Sequence, residues 1–147
     1  LSISEEEINI IKRAALLHDI GMIGISFEIL RKKGRLTESE YNVIKRHSTI
    51  GMKITEKTKM FDKELPLILY HHERFDGGGY PHKLKGDTIP YGARILALTE
   101  AYDAMLSNFH SAARTHEEAL REVEESSGRQ FDPQMVESFI NIMDRPA

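Results

Sequence analysis

The chain has no cysteine among its 147 residues. Disulfides and thiolate zinc sites are therefore excluded, and any metal must be held by imidazole and carboxylate. No apolar run is long enough to cross a bilayer, and no signal peptide opens the chain. Excess positive charge is also missing: a net charge of -3 argues against a general nucleic-acid binder, whose surface would be basic. There is no internal repeat, no low-complexity segment, no coherent strand alternation and no composition shift that would mark a domain boundary. The first residue is Leu1 rather than methionine, so a fragment or a processed product is expected. What remains is ordinary: 40% hydrophobic and 29% charged residues, in a length suited to one domain with its own core. The seven histidines stand out against this background, and their placement matters.

The most concentrated stretch is His71-His72-Glu73-Arg74-Phe75-Asp76-Gly77-Gly78-Gly79-Tyr80-Pro81. Two histidines end a segment of helical character, and acids, three glycines, a tyrosine and a proline follow. The glycines allow close backbone approach to a ligand. Pro81 and Pro90 bracket a non-periodic segment over 77–90, a length that compact domains usually reserve for function.

Helices are expected elsewhere. Ser4 with Glu7, Thr37 with Glu40 and Thr115 with Glu118 each form a capping box. The first helix carries the stripe Ile8, Ile11, Ala15 and His18, and Gly21 is expected to stop it. Ser26 is expected to cap a short helix through Phe27, Ile29 and Leu30. The next helix is read as one piece carrying Tyr41, Ile44, His47, Gly51 and Ile54, with Gly51 permitting a close contact. Pro66 suits the first turn of a helix that brings His71 and His72 inward. A strongly apolar helix over 91–106 carries two acids, Glu100 and Asp103, and a buried acid there needs a partner. His110 and His116 sit in polar surroundings and are read as exposed. Asp132-Pro133 caps a last helix with Val136, Phe139, Ile140 and Met143 on its packing face.

A single histidine on an apolar face is commonly a satisfied core residue. Four on the inner faces of three helices, one of them beside Asp19, favour a shared metal centre. His18, Asp19, His47, His71, His72 and Glu100 form a nitrogen and oxygen donor set suited to iron, manganese or similar ions. Asp19 has two oxygens and can bridge two cations. A pair of cations about 3.5–4 Å apart is an established device for phosphoester hydrolysis.

The chain resembles the HD-GYP family, a branch of the HD phosphohydrolases, over residues 14–139. The matching motifs are His18-Asp19-Ile20-Gly21, Arg46-His47, His71-His72-Glu73, Asp76-Gly77, Gly79-Tyr80-Pro81, Leu84-Lys85-Gly86, Ile89-Pro90, Ala93-Arg94-Ile95 and Phe131-Asp132-Pro133. The resemblance implies an all-α helical bundle with a Gly-rich loop and no significant sheet, forming a single domain over 1–147. It implies hydrolysis of cyclic di-GMP to pGpG and GMP with two or three divalent ions, iron or manganese. Metal ligation then falls to His18, Asp19, His47, His71, His72 and Glu100, with Asp19 also catalytic. Substrate contacts fall to Asp76, Gly79, Tyr80, Pro81, Lys85 and Arg94. Such domains are cytoplasmic outputs behind a receiver or sensor domain, with a GGDEF-type protein as a candidate partner.

Three departures from the family pattern are visible. Met22 stands where a lysine is usual. Glu100 replaces an aspartate. Phe109-His110-Ser111-Ala112 replaces an Arg-Pro-Tyr-Arg run. The family's upstream helix, which supplies a further histidine, is not in the sequence, so one metal position is expected to be open unless another segment fills it. The alternative reading is a degenerate domain that binds metal as a sensor or interaction module, or one that hydrolyses another phosphoester.

Overall fold

The computed structural model describes residues 3–107 and 113–144. The expected segment with Phe109, His110, Ser111 and Ala112 lies outside them, as does Leu1. The described residues form eight α-helices: α1 (Glu5–Leu17), α2 (Phe27–Leu30), α3 (Glu38–Ile44), α4 (His47–Glu56), α5 (Leu65–Tyr70), α6 (Tyr91–Leu106), α7 (His116–Glu125) and α8 (Pro133–Met143). Two 3-10 segments, Ile20–Gly24 and Gly86–Thr88, complete the regular structure. The fold is all-α; the one extended pairing among the described residues is an isolated bridge between Ser127 and Phe131. No helix here is long and apolar enough to cross a membrane.

The helix starts follow local chemistry. At Ser4, Thr37 and Thr115 the side chain accepts from the amide three residues on, while the glutamate there accepts from the cap's own amide. Each box satisfies two amides that would otherwise lack partners. Asp132 caps α8 through the Gln134 amide, with Pro133 in the first turn. Ser26 precedes α2 but makes no side-chain cap bond, because that helix lasts a single turn.

The core has two parts, and α6 crosses both. One packs Leu98 and Tyr102 of α6 against Ala119, Leu120, Val123, Phe131, Met135 and Val136. The other packs Leu96 against Ala14 of α1 and Leu67 and Ile68 of α5. The inner stripe of α1 is thus Ile10, Ile11, Ala14 and Leu17; Ile8 and Ala15 are exposed. Both registers fit a period of 3.6, and packing against α5 selects one of them.

Two glycines position the site. α1 ends at Leu17, four residues before Gly21, which lies inside the first 3-10 segment. A Cβ on Gly21 would fall 1.9 Å from the His47 carbonyl oxygen and 2.5 Å from the Gly51 nitrogen. Gly21 therefore acts by close approach to α4 rather than as a helix stop. Gly51 answers from the other side, where a Cβ would sit 3.3 Å from the Gly21 nitrogen. This crossing lays His18 and Asp19 beside the start of α4.

The expected single helix over 37–56 is two helices. At the joint the Arg46 amide bonds the Val43 carbonyl, a 3-10 step, and α4 restarts at His47. Three ion pairs that the sequence did not suggest, made by two arginines, tie elements together. Arg13 on α1 meets buried Glu64 before α5 at 2.6 Å. Arg94 on α6 reaches Asp132 at 2.6 Å and Asp87 at 2.7 Å. His116, expected to be exposed, is half-buried and hydrogen-bonded to the Tyr102 hydroxyl. Asp103, by contrast, is exposed.

Candidate metal centre

Four imidazoles converge from three places in the chain. His18 follows α1, His47 opens α4, and His71 and His72 follow α5. His47 and His71 are fully buried and His72 is half-buried. The rings pack closely, with centroids 4.1 Å apart for His71 and His72, 5.0 Å for His47 and His72, and 5.2 Å for His18 and His71. Ligand atoms of His47, His71 and His72 all lie within 4.8 Å of one another.

One local device orients three of the rings. Nδ1 lies 2.7 Å from the Ala15 carbonyl in His18, 2.8 Å from the Ile44 carbonyl in His47 and 2.8 Å from the Ile68 carbonyl in His71. A carbonyl only accepts, so each Nδ1 carries the proton and each Nε2 presents a lone pair. The Nε2 atoms of His47 and His71 face each other at 3.2 Å. Asp19 adds oxygens from one edge: Oδ1 lies 3.4 Å from His47 Nε2, and Oδ2 lies 3.5 Å from His18 Nε2. One carboxylate thus straddles two imidazoles. Converging lone pairs backed by carbonyl-anchored Nδ1 protons fit divalent cations well.

Electrostatics agree with that fit. Burial, together with neighbouring His72, drives His71 down to about 2. Burial, together with His47 and His18, drives His72 down to about 3. Both rings are neutral at physiological pH and ready to ligate. Burial pushes Glu100 up to about 7, opposed by His18 and reinforced by Asp19. A nearby cation would favour its charged form.

These groups line a cavity of about 900 Å³ that includes Asp19, His47, His71, His72 and Glu100. A second, smaller opening has His18, Asp19 and Glu100 on its wall, with Asp103. The loop after His72 forms a side of the larger cavity. Tyr80 stacks on His72 with centroids 4.8 Å apart, and its amide donates to the His72 carbonyl. Burial raises the Tyr80 hydroxyl well above its ordinary range. Buried Glu73 holds the loop in place by accepting from the His82 and Leu84 amides at 2.7 and 3.0 Å. Gly79 is required there, since a Cβ would meet the Arg74 nitrogen at 2.4 Å.

Of the residues expected to touch substrate, Gly79 and Tyr80 line this cavity. Asp76 is not on the wall but pairs with Arg74, which is, and accepts from the Gly78 amide. Pro81, Lys85 and Arg94 are not on the cavity wall, and Arg94 is engaged with Asp87 and Asp132. Met22, the neutral residue at the usual lysine position, does line it. Lys45, Arg74 and Gln130 also line it and were not singled out from sequence. The spacing of Tyr41 and Lys45, one helical turn apart, was the available signal for Lys45.

Comparison with known proteins matches this chemistry. The model of the HD domain family matches residues 1–135. The cyclic di-GMP phosphodiesterase response regulator RpfG of Xanthomonas campestris pv. campestris is 43% identical over 95% of this chain and 38% of its own length. A cyclic di-GMP phosphodiesterase of Thermotoga maritima is 41% identical over 97% of this chain and 39% of its own. The 3'3'-cGAMP-specific phosphodiesterase 2 of Vibrio cholerae is 33% identical over 97% of this chain and 28% of its own. The chain thus spans about two fifths or less of the length of these relatives. A crystal structure of a cyclic GMP-AMP specific phosphodiesterase from V. cholerae has a TM-score of 0.75 at 22% identity, covering 99% of this chain and 40% of that one; the likeness is one of fold. With the histidine and aspartate motifs gathered at one centre, the chain belongs to the HD domain family, in its HD-GYP branch.

Proposed function

We propose that this domain is a metal-dependent phosphodiesterase that opens cyclic di-GMP to linear pGpG and on to GMP. The observation that carries the reading is one carboxylate, Asp19, facing the Nε2 atoms of both His18 and His47, with His71 Nε2 against that of His47, beside the large cavity. His18, Asp19, His47, His71, His72 and Glu100 would hold two or three divalent ions. Iron or manganese suits a nitrogen and oxygen donor set without sulfur. Bound cations would supply Lewis acidity toward a phosphoryl oxygen and lower the pKa of water.

The chain's own residues supply position. Asp19 spans His18 and His47 and would help hold the cations. Tyr80, stacked on His72, walls the substrate side, and Glu73 keeps that wall from shifting. The same reading makes residues 1–147 one output unit, working in the cytoplasm behind a receiver or sensor domain of the parent chain, with a GGDEF-type protein as a partner. The names of the relatives support cyclic dinucleotides as the substrate class.

A second reading has its own observation. Met22 brings no charge to the cavity wall where anionic substrate would sit, which suits a domain that binds metal and nucleotide without turnover. Removing one electrostatic stabiliser of a transition state commonly costs on the order of 10²–10³ in rate. Incubation of the full-length protein, loaded with Fe²⁺ or Mn²⁺, with cyclic di-GMP and in parallel with 3'3'-cGAMP separates the two. Chromatography should show linear product from cyclic di-GMP in proportion to enzyme. Bound metal with intact nucleotide at every enzyme concentration would establish the second reading, and faster loss of 3'3'-cGAMP would reassign the substrate.

A further inference from the structure

A phosphodiester entering the large cavity carries negative charge, and a protein cation facing that space would complement it beside any metal held at Asp19 and Glu100. Among the described residues, three lysine and arginine side chains line it: Lys32, Lys45 and Arg74. Lys32 is committed to both oxygens of Glu40, at 2.8 and 2.6 Å. Arg74 is committed to Asp76 through two nitrogens and to Gln130 through a third. Lys45 differs from both. Its ammonium touches only the Asn42 side-chain oxygen, at 3.3 Å, and has no carboxylate partner among the described residues.

Lys45 is nonetheless held. Its Nζ lies 4.6 Å from the centre of the Tyr41 ring and 5.7 Å from that of Tyr80. The two faces attract the ammonium without using up its protons, so at least two of its three donors stay available. Tyr80 in turn stacks on His72. One aromatic ring therefore separates the ammonium from the imidazole cluster. The joint between α3 and α4 fixes the relation, because Lys45 and His47 flank it two residues apart.

We propose that Lys45 is a substrate-binding residue of this site, whose ammonium takes a phosphate oxygen of the phosphodiester. The proposal deepens the phosphodiesterase reading and rests on it for the identity of the substrate. It accounts for how a cavity with neutral Met22 on its wall still holds an anion.

The test uses Lys45→Gln and Lys45→Arg in the full-length, metal-loaded protein, with two separate readouts. Binding of inorganic phosphate is followed by calorimetry, and cyclic di-GMP turnover is resolved into KM and kcat. Metal content and Tm are measured alongside. Lys45→Gln should weaken phosphate binding roughly 10- to 100-fold and raise KM by a similar factor, as expected for loss of a charged hydrogen-bond donor. Lys45→Arg should retain most of the affinity, and metal content should match the wild type in both variants. Phosphate affinity that still depends on Lys45 in a protein that turns over no cyclic di-GMP would remove the substrate reading and leave this one standing. Phosphate affinity that is unmeasurable in the wild type, or equal in wild type and Lys45→Gln, overturns it whatever nucleotide is consumed.

Discussion

His18, His47 and His71 each tie Nδ1 to the carbonyl three residues back, and this small device makes the site. Because each histidine sits at a helix boundary, the carbonyl it meets belongs to the adjoining turn, and the ring needs no partner from elsewhere in the fold. The result is a set of lone pairs fixed before any metal arrives. Asp19 is the one acid that reaches two of them, and its side chain is half-exposed, so its removal should spare the core. Asp19→Ala is expected to lower bound metal to half or less by elemental analysis, with Tm unchanged in the metal-free state. Unchanged stoichiometry would refute its bridging role. The convergence of these side chains was legible in the sequence because the histidines recur on apolar helix faces, and an acid beside one of them has no packing role. Lys45 was not legible. Its meaning depends on Tyr80, thirty-five residues away, and on Lys32 and Arg74 being taken by Glu40 and Asp76. Arg94 is the opposite case: its motif marks it, and its guanidinium pairs with Asp87 and Asp132 rather than lining the cavity wall.

At the scale of elements, helix starts were readable and helix ends were not. A capping box is a local transaction between residues three apart, and all three boxes formed. The break between α3 and α4 leaves no such mark, because apolar spacing runs through it unbroken. Gly21 shows the same ambiguity. Glycine serves both as a helix stop and as a place for backbones to touch, and only the tertiary partner tells which. Here the partner is α4, and the contact aligns His18-Asp19 with His47. Gly21→Ala would force a methyl group against the His47 carbonyl, which cannot yield as a flexible side chain would. We expect a loss of about 3 kcal/mol or more in urea unfolding, at the upper end of overpacking costs, together with weaker metal binding. A loss below about 1 kcal/mol would mean that the crossing is looser than this geometry requires.

Over the whole molecule, α6 joins two hydrophobic clusters, and His71 and His72 follow α5, whose Leu67 and Ile68 belong to one of them, at the cavity wall. That placement sets the pH response of the metal-free protein. Folding depresses His71 and His72 far below the ordinary value of 6.5, so their contribution is fully present above pH 6.5 and is lost as pH falls toward 3. Folding raises Glu100 from 4.5 to about 7, so its contribution runs the other way, present below pH 4.5 and lost as pH rises to 7. Between pH 4.5 and 6.5 the unfolded chain holds two histidine protons that the folded one lacks, and the folded chain holds one on Glu100. Stability should therefore fall on acidification, with the two histidines outweighing one acid. Glu100→Gln removes the opposing proton and should steepen the fall of Tm from pH 6.5 to 4.5. A flatter slope would contradict the assignment. Divalent ions should raise Tm at neutral pH by mass action, and chelation should reverse it.

The central claim is that this cluster, once loaded, cleaves a cyclic dinucleotide. Its most direct test is to titrate metal-stripped full-length protein with Mn²⁺ while following linear product from cyclic di-GMP. Product formation should be absent without metal, rise with each equivalent, level off at the measured stoichiometry, and vanish in a His47→Ala, His71→Ala double variant. A protein that takes up its full complement of metal, keeps its fold and releases no linear product would contradict the account.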